Sequence, residues 1–315
     1  ILKCSEKFHK YILHSAQKYA TIPSRVCASL GGAVMELKLD GLCVIPERGE
    51  TLANIVVRLG LDRAELSARP LAAKIAGEVF TLNYIPVRHK DAKGDTVTTR
   101  RAMEASGGEI SLIRYHDPAG KDTYVRTAQF VIFLALNRLW PNARTKMSCT
   151  LGPGLFISVI GAEDFSAERL KAEIEQIVAD NIPLLRRRIS TADAIAYYES
   201  RGDYDKAQLL KWRTVDYFDV YEHEGFRDYY YGEMAPSTGY VSVWDVLPAE
   251  GGFLFLFPDD RQPDTVGTYQ HMPHFFSVFS EGERWCELME CETATDLNLL
   301  VENGRIRELI RVNEA

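Results

Sequence analysis

Residues 122–139 (DTYVRTAQFVIFLALNRL) constrain the fold most, because they form the most apolar helical pattern of the chain. Apolar side chains fall on most faces of this helix, which predicts that it is buried on most sides. No apolar run in the chain approaches the ~20 residues that a membrane-spanning helix needs. We therefore expect a buried helix in a folded domain, and no membrane association.

A small unit is predicted upstream of this helix. Residues 34–46 alternate as two strands around Asp40-Gly41, which is a strong hairpin signal. Thr51 follows as the N-cap of a helical pattern. Two more strands are predicted at 78–87 and 109–115, with a polar surface loop at 88–108 between them. This order predicts a small mixed sheet with one helix across a face.

The rest of the chain predicts a second α+β unit and a helical tail. After a strand at 155–160, Ser166 caps an amphipathic helix that Pro183 stops. A strand at 184–190 leads to Thr191, the predicted N-cap of the next helix, which ends at Gly202. Four β segments are expected between 215 and 258, and helices follow to the end. The β segments are VDYFDVYEHE, DYYYGEM, YVSVWDVLPA and GGFLFLFP.

Composition predicts a cytoplasmic globular protein. The 315 residues suit two or three domains, and the net charge of −7 argues against a nucleic-acid grip over the whole surface, although a local basic patch remains open. Six scattered cysteines without a CxxC pair favour a reducing compartment. Residues 1–33 are predicted to be an amino-terminal extension without a secretory signal. This segment is either a short helix or an organellar presequence. Ile1 in place of Met predicts a fragment or a processed form.

Known catalytic signatures are few. The phosphate-binding loop GxxxxGK[ST] is absent, so this chain carries no P-loop kinase chemistry of its own. His271 and His274 are the closely spaced histidines; Pro273 between them favours a loop with two exposed histidines over a zinc site. Cys149 lacks a recognisable histidine partner and is better explained as a small buried hydrophobe.

Two features stand above this background. The first is the run Tyr229-Tyr230-Tyr231, whose alternate rings on a strand face opposite sides. These tyrosines either stack on nucleobases or lie half-buried in a sheet. The second is Arg186-Arg187-Arg188, which forms either a phosphate-binding patch or a solvated edge strand.

The order of these segments resembles the amino-terminal region of threonyl-tRNA synthetases. Residues 34–116 look like their TGS domain, a ubiquitin-like β-grasp module, and residues 121–258 look like the editing domain shared with alanyl-tRNA synthetase. Residues 126–159 are similar to the segment that carries the family's HxxxH motif, and 226–234 resemble its second metal motif. The shared residues of the first segment are Leu139-Trp140-Pro141, Lys146-Met147 and Gly152-Pro153.

The motifs are more similar still to nucleoside (uridine) kinase-like proteins, which join a TGS domain, an editing-like domain and a P-loop kinase. The residues that carry this resemblance are His116-Asp117, Asp122-Thr123-Tyr124, Arg126, Gly202-Asp203-Tyr204-Asp205-Lys206, Tyr231-Gly232, Pro236-Ser237-Thr238-Gly239-Tyr240, Arg284-Trp285 and Asn303-Gly304-Arg305-Ile306. The resemblance implies an α+β chain of four parts, with a kinase domain missing beyond Ala315. The parts are an extension (1–33), a TGS-like β-grasp domain (34–118), an editing-like domain (119–260) and a helical tail (261–315).

Departures from the family pattern limit the chemistry that the resemblance implies. The family's four metal positions fall on Thr127, Val131, Tyr230 and Met234, which do not supply the ligands of a zinc site. The expectation is a metal-free, non-catalytic regulatory region that binds RNA, a nucleotide or an aminoacyl-like ligand. Its expected ligand-binding residues are Arg126, Thr127, Lys146, Asp228, Tyr230 and Ser237.

Two alternatives remain open. One is a metal-independent aminoacyl-tRNA deacylase that uses Lys146, Asp228 or Cys149 to orient water. The other is a structural platform for dimerisation or for docking the kinase. The expected partners are tRNA or another RNA, a nucleotide, the downstream kinase domain and a second copy of the chain. No cofactor is expected in this chain, since ATP and Mg²⁺ are implied only for the missing kinase domain.

Overall fold

The first hairpin turns at Asp40-Gly41 in the computed structural model, which describes residues 36–47, 49–86, 106–271 and 273–314. Strands β1 (Leu37–Leu39) and β2 (Leu42–Val44) pair antiparallel on either side of the turn. Asp40 and Gly41 have φ angles of 47° and 82°, and two positive values define the type I′ turn that suits a two-residue hairpin. The predicted hairpin is confirmed. The expected extension at 1–33 and nearly all of the loop at 88–108 lie outside the described residues.

Five strands and one helix form the first unit. Helix α1 (Leu52–Arg58) begins where the Thr51 hydroxyl accepts the Asn54 N–H at 3.2 Å, so the predicted cap is confirmed. The sheet has the order β2-β1-β5-β3-β4, in which β1 and β5 are parallel and all other pairs are antiparallel. Its remaining strands are β3 (Ala72–Ile75), β4 (Glu78–Thr81) and β5 (Glu109–Ile113). The predicted mixed sheet with one helix is thus present, although β4 ends well before residue 87.

Helix α2 (Pro118–Leu139) lies at the centre of the second unit. It begins four residues earlier than the sequence pattern predicts, because Pro118 occupies its first turn, where a missing N–H costs nothing. Its buried side chains share one apolar core with a four-stranded antiparallel sheet and helix α3 (Ala167–Ala179). The sheet has the order β11-β12-β7-β6. Its strands are β6 (Arg144–Leu151), β7 (Gly154–Ile160), β11 (Asp245–Ala249) and β12 (Gly252–Leu256).

A smaller antiparallel sheet, β10-β9-β8, carries two helices on its own core. Its elements are β8 (Arg186–Ser190), α4 (Thr191–Ser200), α5 (Tyr204–Lys211), β9 (Tyr217–His223) and β10 (Phe226–Asp228). The N-cap of α4 is Ser190 and not Thr191 as predicted. The Ser190 hydroxyl accepts the Asp193 N–H at 3.0 Å, whereas the Thr191 hydroxyl donates to the Val215 carbonyl.

The predicted strand through the tyrosine run is wrong beyond Asp228. Strand β10 pairs with β9 only from Phe226 to Asp228, and the chain then leaves the sheet. Gly232 has a φ angle of 132°, a backbone conformation that a continuing strand does not contain. A short 3₁₀ helix at Thr238–Tyr240 follows, so the predicted strand at 240–249 is reduced to β11.

Three helices form the predicted tail: α6 (Pro273–Leu288), α7 (Ala294–Glu302) and α8 (Ile306–Glu314). Pro273 begins α6, so His274 lies in a helix and not in the predicted loop. Helix α7 packs against α5, where the Thr295 hydroxyl donates to the Asp205 carbonyl at 2.8 Å. No helix in the described residues is long and apolar enough to cross a membrane.

Hydrogen bonds join the first unit to the second. The Asn83 amide donates to the carbonyls of Leu184 (3.0 Å) and Pro236 (2.8 Å). The Arg69 guanidinium donates to the Gly239 carbonyl, and it also stacks 3.8 Å above the Tyr240 ring. These contacts hold the β-grasp-like sheet against the segment that follows the tyrosine run. The structure confirms the α+β class, while the domain boundaries at 34, 118, 119 and 260 stay predictions.

Candidate ligand-binding site

Helix α2 and the segment after β10 meet at Thr127. The Thr127 hydroxyl donates to the Thr123 carbonyl at 2.7 Å and accepts the Ala235 N–H at 2.9 Å. Thr127 is fully buried, so both bonds form away from water, where an unpaired amide would be costly. The hydroxyl thus fixes the backbone beside the tyrosine run to the central helix.

The four positions at which the resemblance places metal ligands lie in or against the same apolar core. Val131 and Met234 are fully buried within it, and the Tyr230 ring packs against it, 6.5 Å from the Phe130 ring. The Thr127 hydroxyl is already committed to the backbone. A threonine, a valine, a tyrosine and a methionine do not provide the nitrogen, thiolate and carboxylate ligands that zinc prefers. These residues therefore do not fit the metal that the resemblance implies.

Arg126 supports the turn that presents the tyrosines. Its guanidinium donates to the Glu233 carbonyl at 3.0 Å and lies directly beside Gly232. A Cβ atom built on Gly232 would stand 2.7 Å from the Arg126 Cζ atom, which is closer than such atoms approach. Gly232 is therefore required by its φ angle, and a side chain here would also displace the flexible Arg126 guanidinium.

Asp228 and Lys206 form the most electrostatically organised pair of this region. The Lys206 ammonium lies 2.9 Å from the Asp228 carboxylate, which is only 12% exposed. Burial is the largest single effect and lowers the pKa of Lys206, but the charge and hydrogen bond of Asp228 and the charge of Asp203 together outweigh it and raise that pKa above its usual value. Lys206 also lies 5.3 Å from the Tyr198 ring centre and 5.9 Å from that of Tyr229, within cation–π range. The ion pair therefore holds the Lys206 ammonium in place close to the Tyr198 and Tyr229 rings.

Two phenol hydroxyls near this pair lack partners. The buried hydroxyls of Tyr198 and Tyr230 form no hydrogen bond within the described residues. Burial, and then the nearby Asp228 carboxylate, raise the pKa of both phenols well above the usual tyrosine value. Both hydroxyls therefore remain protonated donors at neutral pH, and buried unpaired donors of this kind are uncommon in proteins.

A cavity of ≈ 230 Å³ opens beside Lys206. Its walls combine two cationic residues with aromatic and aliphatic side chains and contain no carboxylate. The lining residues are Lys206, Leu209, Leu210, Trp212, Arg213, Phe218, Tyr229 and Tyr231. Helix α5 and the strand β9 provide one side, and the turn that follows β10 provides the other. We name this space the α5 cavity.

The six residues expected to bind a ligand are not brought together as one set. Asp228 pairs with Lys206, which lines the α5 cavity. Thr127 and Arg126 bond to the backbone of Ala235 and Glu233, in the segment that follows the tyrosine run. Lys146 lies elsewhere, 3.1 Å from Glu283 on the tail helix α6. Ser237 is buried, and its hydroxyl bonds to the Asn181 side chain. The Tyr230 ring is partly buried against the core, and its hydroxyl lies near Asp228.

Sequence reasoning missed the residues that line the cavity from α5. Lys206 appeared only within the segment Gly202–Lys206 that carries the kinase-like resemblance, and Trp212 and Arg213 were not recognised. The mixture of cations and an aromatic ring in Lys211-Trp212-Arg213 is the one local signal that was present. Its meaning depends on the distant tyrosine run, which only the fold brings beside it.

The arginine run on β8 is neutralised by neighbouring acids. Arg187 lies 3.2 Å from Glu222, and Arg188 lies 2.8 Å from Asp219. Arg186 lies 2.9 Å from Glu233. Strand β8 is at the edge of its sheet, which agrees with the solvated edge strand and leaves no free basic patch at these three residues. Among the described residues, no group of histidine, cysteine and acidic side chains is arranged to hold a metal ion.

Comparisons with known proteins point to one kind of relative. No family model matches the chain. Threonine–tRNA ligase from Carboxydothermus hydrogenoformans is 28% identical over 154 residues, which is 47% of this chain and 24% of the ligase. The enzyme from Clostridium kluyveri is 24% identical over 66% of this chain and 30% of the ligase. That from Desulfovibrio desulfuricans is 23% identical over 70% of this chain and 32% of the ligase.

The matched regions thus span about a quarter to a third of the length of these curated relatives. The α+β architecture is consistent with the TGS and editing-like domains at the amino-terminal end of such ligases. Across half to two thirds of its length, this chain is distantly similar to the amino-terminal region of threonine–tRNA ligases.

Proposed function

We propose that this chain is a binding region that recognises RNA, a nucleotide or an aminoacyl-like ligand without hydrolysing it. The observation that supports this proposal is the α5 cavity beside the Asp228–Lys206 pair, in a chain whose family metal positions are filled by core residues. The residues at those positions do not supply the nitrogen, thiolate or carboxylate ligands with which hydrolytic zinc sites hold their metal and activate water.

Of the six expected residues, Asp228 and Tyr230 remain candidates for ligand contacts on this proposal. Asp228 is the strongest, because it fixes Lys206 in the cavity wall. Arg126 and Thr127 act by positioning the turn, and the Tyr230 hydroxyl offers a free donor behind it. Lys146 and Ser237 have protein partners away from the cavity. A downstream kinase domain, with its ATP and Mg²⁺, is proposed from the resemblance alone.

Binding and hydrolysis are separated by two measurements on the purified chain. Titration with tRNA, nucleotides and nucleosides should give saturable binding that weakens in Asp228→Asn, which loses the charge that holds Lys206. Mischarged tRNA incubated with the chain should lose its amino acid no faster than in buffer. The absence of binding to all three classes at low and at physiological salt would refute recognition. Accelerated loss of the amino acid would instead establish the deacylase alternative.

A docking platform is a second candidate, favoured by exposed apolar side chains on the tail helices. Val278, Trp285 and Leu288 on α6 are 68%, 52% and 68% exposed, and Val301 on α7 and Ile310 on α8 are also exposed. Light scattering across a range of concentrations would detect a dimer. Loss of that dimer in Trp285→Ser would support this role, and a monomer at every concentration would exclude self-association.

A further inference from the structure

We infer that the α5 cavity holds a single nucleotide unit, with its base against the Tyr231 ring and its phosphate at Arg213. This inference rests on the proposed binding function and specifies the ligand class. It follows from three properties of the cavity wall: an accessible aromatic ring, a cation without a close ion pair, and a lining without a carboxylate.

The aromatic wall is suited to a flat ring. Tyr231 is 79% exposed although it lines a cavity, so its ring is available to a ligand. It is held in place by the half-buried Tyr229, whose ring meets it edge-on at 5.6 Å. Exposed tyrosines supported in this way are typical platforms for nucleobase stacking, because every base presents a π face.

The cationic wall is suited to an anion. Arg213 forms no close ion pair within the described residues, although its charge acts on Asp219 at longer range. Its Nε–H is buried without an acceptor, so the donors that a ligand can reach are those at the end of the guanidinium. Its guanidinium lies 5.2 Å from the Phe218 ring centre, which orients it without neutralising its charge. Lys206 differs, since Asp228 already balances it. A guanidinium with unused donors matches the oxygens of a phosphate group.

The charge of the lining narrows the class of ligand. The cavity of ≈ 230 Å³ lies below the roughly 300–1,000 Å³ of sites that enclose drug-sized ligands, so a nucleotide would be held only in part, with its base on the exposed Tyr231 ring at the mouth. A cationic ligand would meet Lys206 and Arg213 without any carboxylate in the lining, and a purely apolar ligand would leave the Arg213 donors unpaired. The same nucleotide unit can come from a free mononucleotide or from a single-stranded RNA.

The test uses the whole chain and titration calorimetry, because all four tryptophans would contribute to a fluorescence signal. The probes are adenosine and uridine 5′-monophosphates, the two nucleosides, inorganic phosphate and a short single-stranded RNA. We expect the monophosphates to bind more tightly than the nucleosides, and Arg213→Gln to abolish that difference. Tyr231→Ala should weaken both by about tenfold, the scale of one lost base stack. Tyr231→Phe, which keeps the ring, should retain binding.

Matched controls lie outside the cavity. Tyr204→Ala removes a tyrosine on α5 that is 68% exposed, and Arg187→Gln removes an arginine on β8 that is 66% exposed. Both should bind like the unmodified chain. Unfolding temperatures establish that each variant folds, and Arg213→Lys replaces Arg213→Gln if the latter does not. Arg213→Lys keeps the charge but loses the planar fork, so a weakened preference for phosphate is expected.

The outcomes separate this inference from the proposed function. Binding of RNA alone, with the same sensitivity to Tyr231→Ala and Arg213→Gln, supports the inference and identifies the source as a strand. Ligand binding that is equal in these variants and in their controls overturns the inference and leaves the proposed function standing. The absence of binding to any probe, together with tRNA, overturns both.

Discussion

Gly232 decides how the tyrosine run is presented. Its φ angle of 132° turns the chain between the buried Tyr230 and the exposed Tyr231, and the Arg126 guanidinium fills the space that a side chain would occupy. A residue with a Cβ atom must distort the turn or displace Arg126 from the Glu233 carbonyl. The position of Tyr231 at the cavity thus depends on a residue without a side chain at position 232.

Gly232→Ala should destabilise the chain and weaken ligand binding together. We expect a loss of about 1–3 kcal/mol in the free energy of unfolding, from a strained backbone and a displaced guanidinium. Urea unfolding measures it. Gly251→Ala gives the cost of a left-handed position alone, because Gly251 has a φ angle of 75° and faces open space. Gly232→Ala should cost more, since its φ angle of 132° is harder for other residues to adopt and Arg126 must also move. Equal losses in the two variants would show that neither the backbone conformation nor the contact adds strain.

Asp219 gives the smaller sheet a dependence on acid. The Arg188 guanidinium donates two hydrogen bonds to it, at 2.8 and 3.0 Å, and these hold the pKa of Asp219 below its usual value. A lowered pKa in the folded state adds stability at any pH above the unfolded value of about 3.9. That stability disappears as the pH falls below this value and through the folded pKa.

Asp219→Asn should therefore lower stability by about 1 kcal/mol at pH 7 and progressively less below pH 4. Unfolding in urea at a series of pH values measures the difference between the two chains. Asp193→Asn, at the start of α4, is not a suitable control for this variant. Its carboxylate also accepts a hydrogen bond, from the Ser190 hydroxyl, so its loss would change the stability as well. A difference that stays constant between pH 7 and pH 2 would contradict the assigned cause.

Among the elements, helix α4 depends on a cap that the sequence does not distinguish. Ser190 and Thr191 are adjacent and both are good capping residues, so composition favours neither. The antiparallel pairing of β8 with β9 decides between them, because it extends to Ser190 and leaves that residue with an extended backbone. Thr191 is then inside the helix, with its hydroxyl on the Val215 carbonyl.

Ser190→Ala should lower the free energy of unfolding by about 1 kcal/mol, the usual cost of a lost cap. Ser190→Thr should restore most of that stability, since its hydroxyl can both accept the Asp193 N–H and donate to the Asp193 carboxylate. Chemical unfolding of the unmodified chain and the two variants compares them. If Ser190→Thr is as unstable as Ser190→Ala, the serine acts through something other than its hydroxyl.

Strong local signals predicted most of the elements. Asp40-Gly41, Thr51 and Ser166 each determine a turn or a helix start through their own chemistry, and all three predictions are confirmed. The strand predicted through Tyr229–Tyr231 failed because its aromatic residues favour strands wherever they occur. The departure from the sheet depends on Gly232 and on a partner strand that ends at Asp228.

The site was predicted less well than the elements, for a reason that lies in the fold. Asp228 is adjacent in sequence to the tyrosine run, so the resemblance could identify it. Its partner Lys206 is 22 residues away, and Arg213 is brought to Tyr231 only by the packing of α5 on the small sheet. Side chains from separate elements form the cavity. Neither the periodicity nor the spacing of the sequence predicts that these side chains lie close together.

At the scale of the whole molecule, the first unit supports the backbone near the site. Asn83 follows β4, and its amide donates to two backbone carbonyls. One belongs to Leu184, just before β8, and the other belongs to Pro236, after the tyrosine run. The two partners of Asn83 are distant in sequence: Leu184 is 101 positions away and Pro236 is 153 positions away. The β-grasp-like sheet therefore restrains the segment that shapes the cavity, although it contributes no lining residue.

Asn83→Ala should loosen this junction more than it destabilises either unit. It leaves the carbonyls of Leu184 and Pro236 without their donor, and we expect a loss of about 1–3 kcal/mol. Calorimetry should show one cooperative transition broaden or divide into two, and protease cleavage should increase around residues 184 and 236. Asn142→Ala, at an exposed turn, is the matched control and should leave the transition unchanged. A uniform decrease in the unfolding temperature, with a single sharp transition and no new cleavage, would mean that Asn83 stabilises the molecule without coupling its two units.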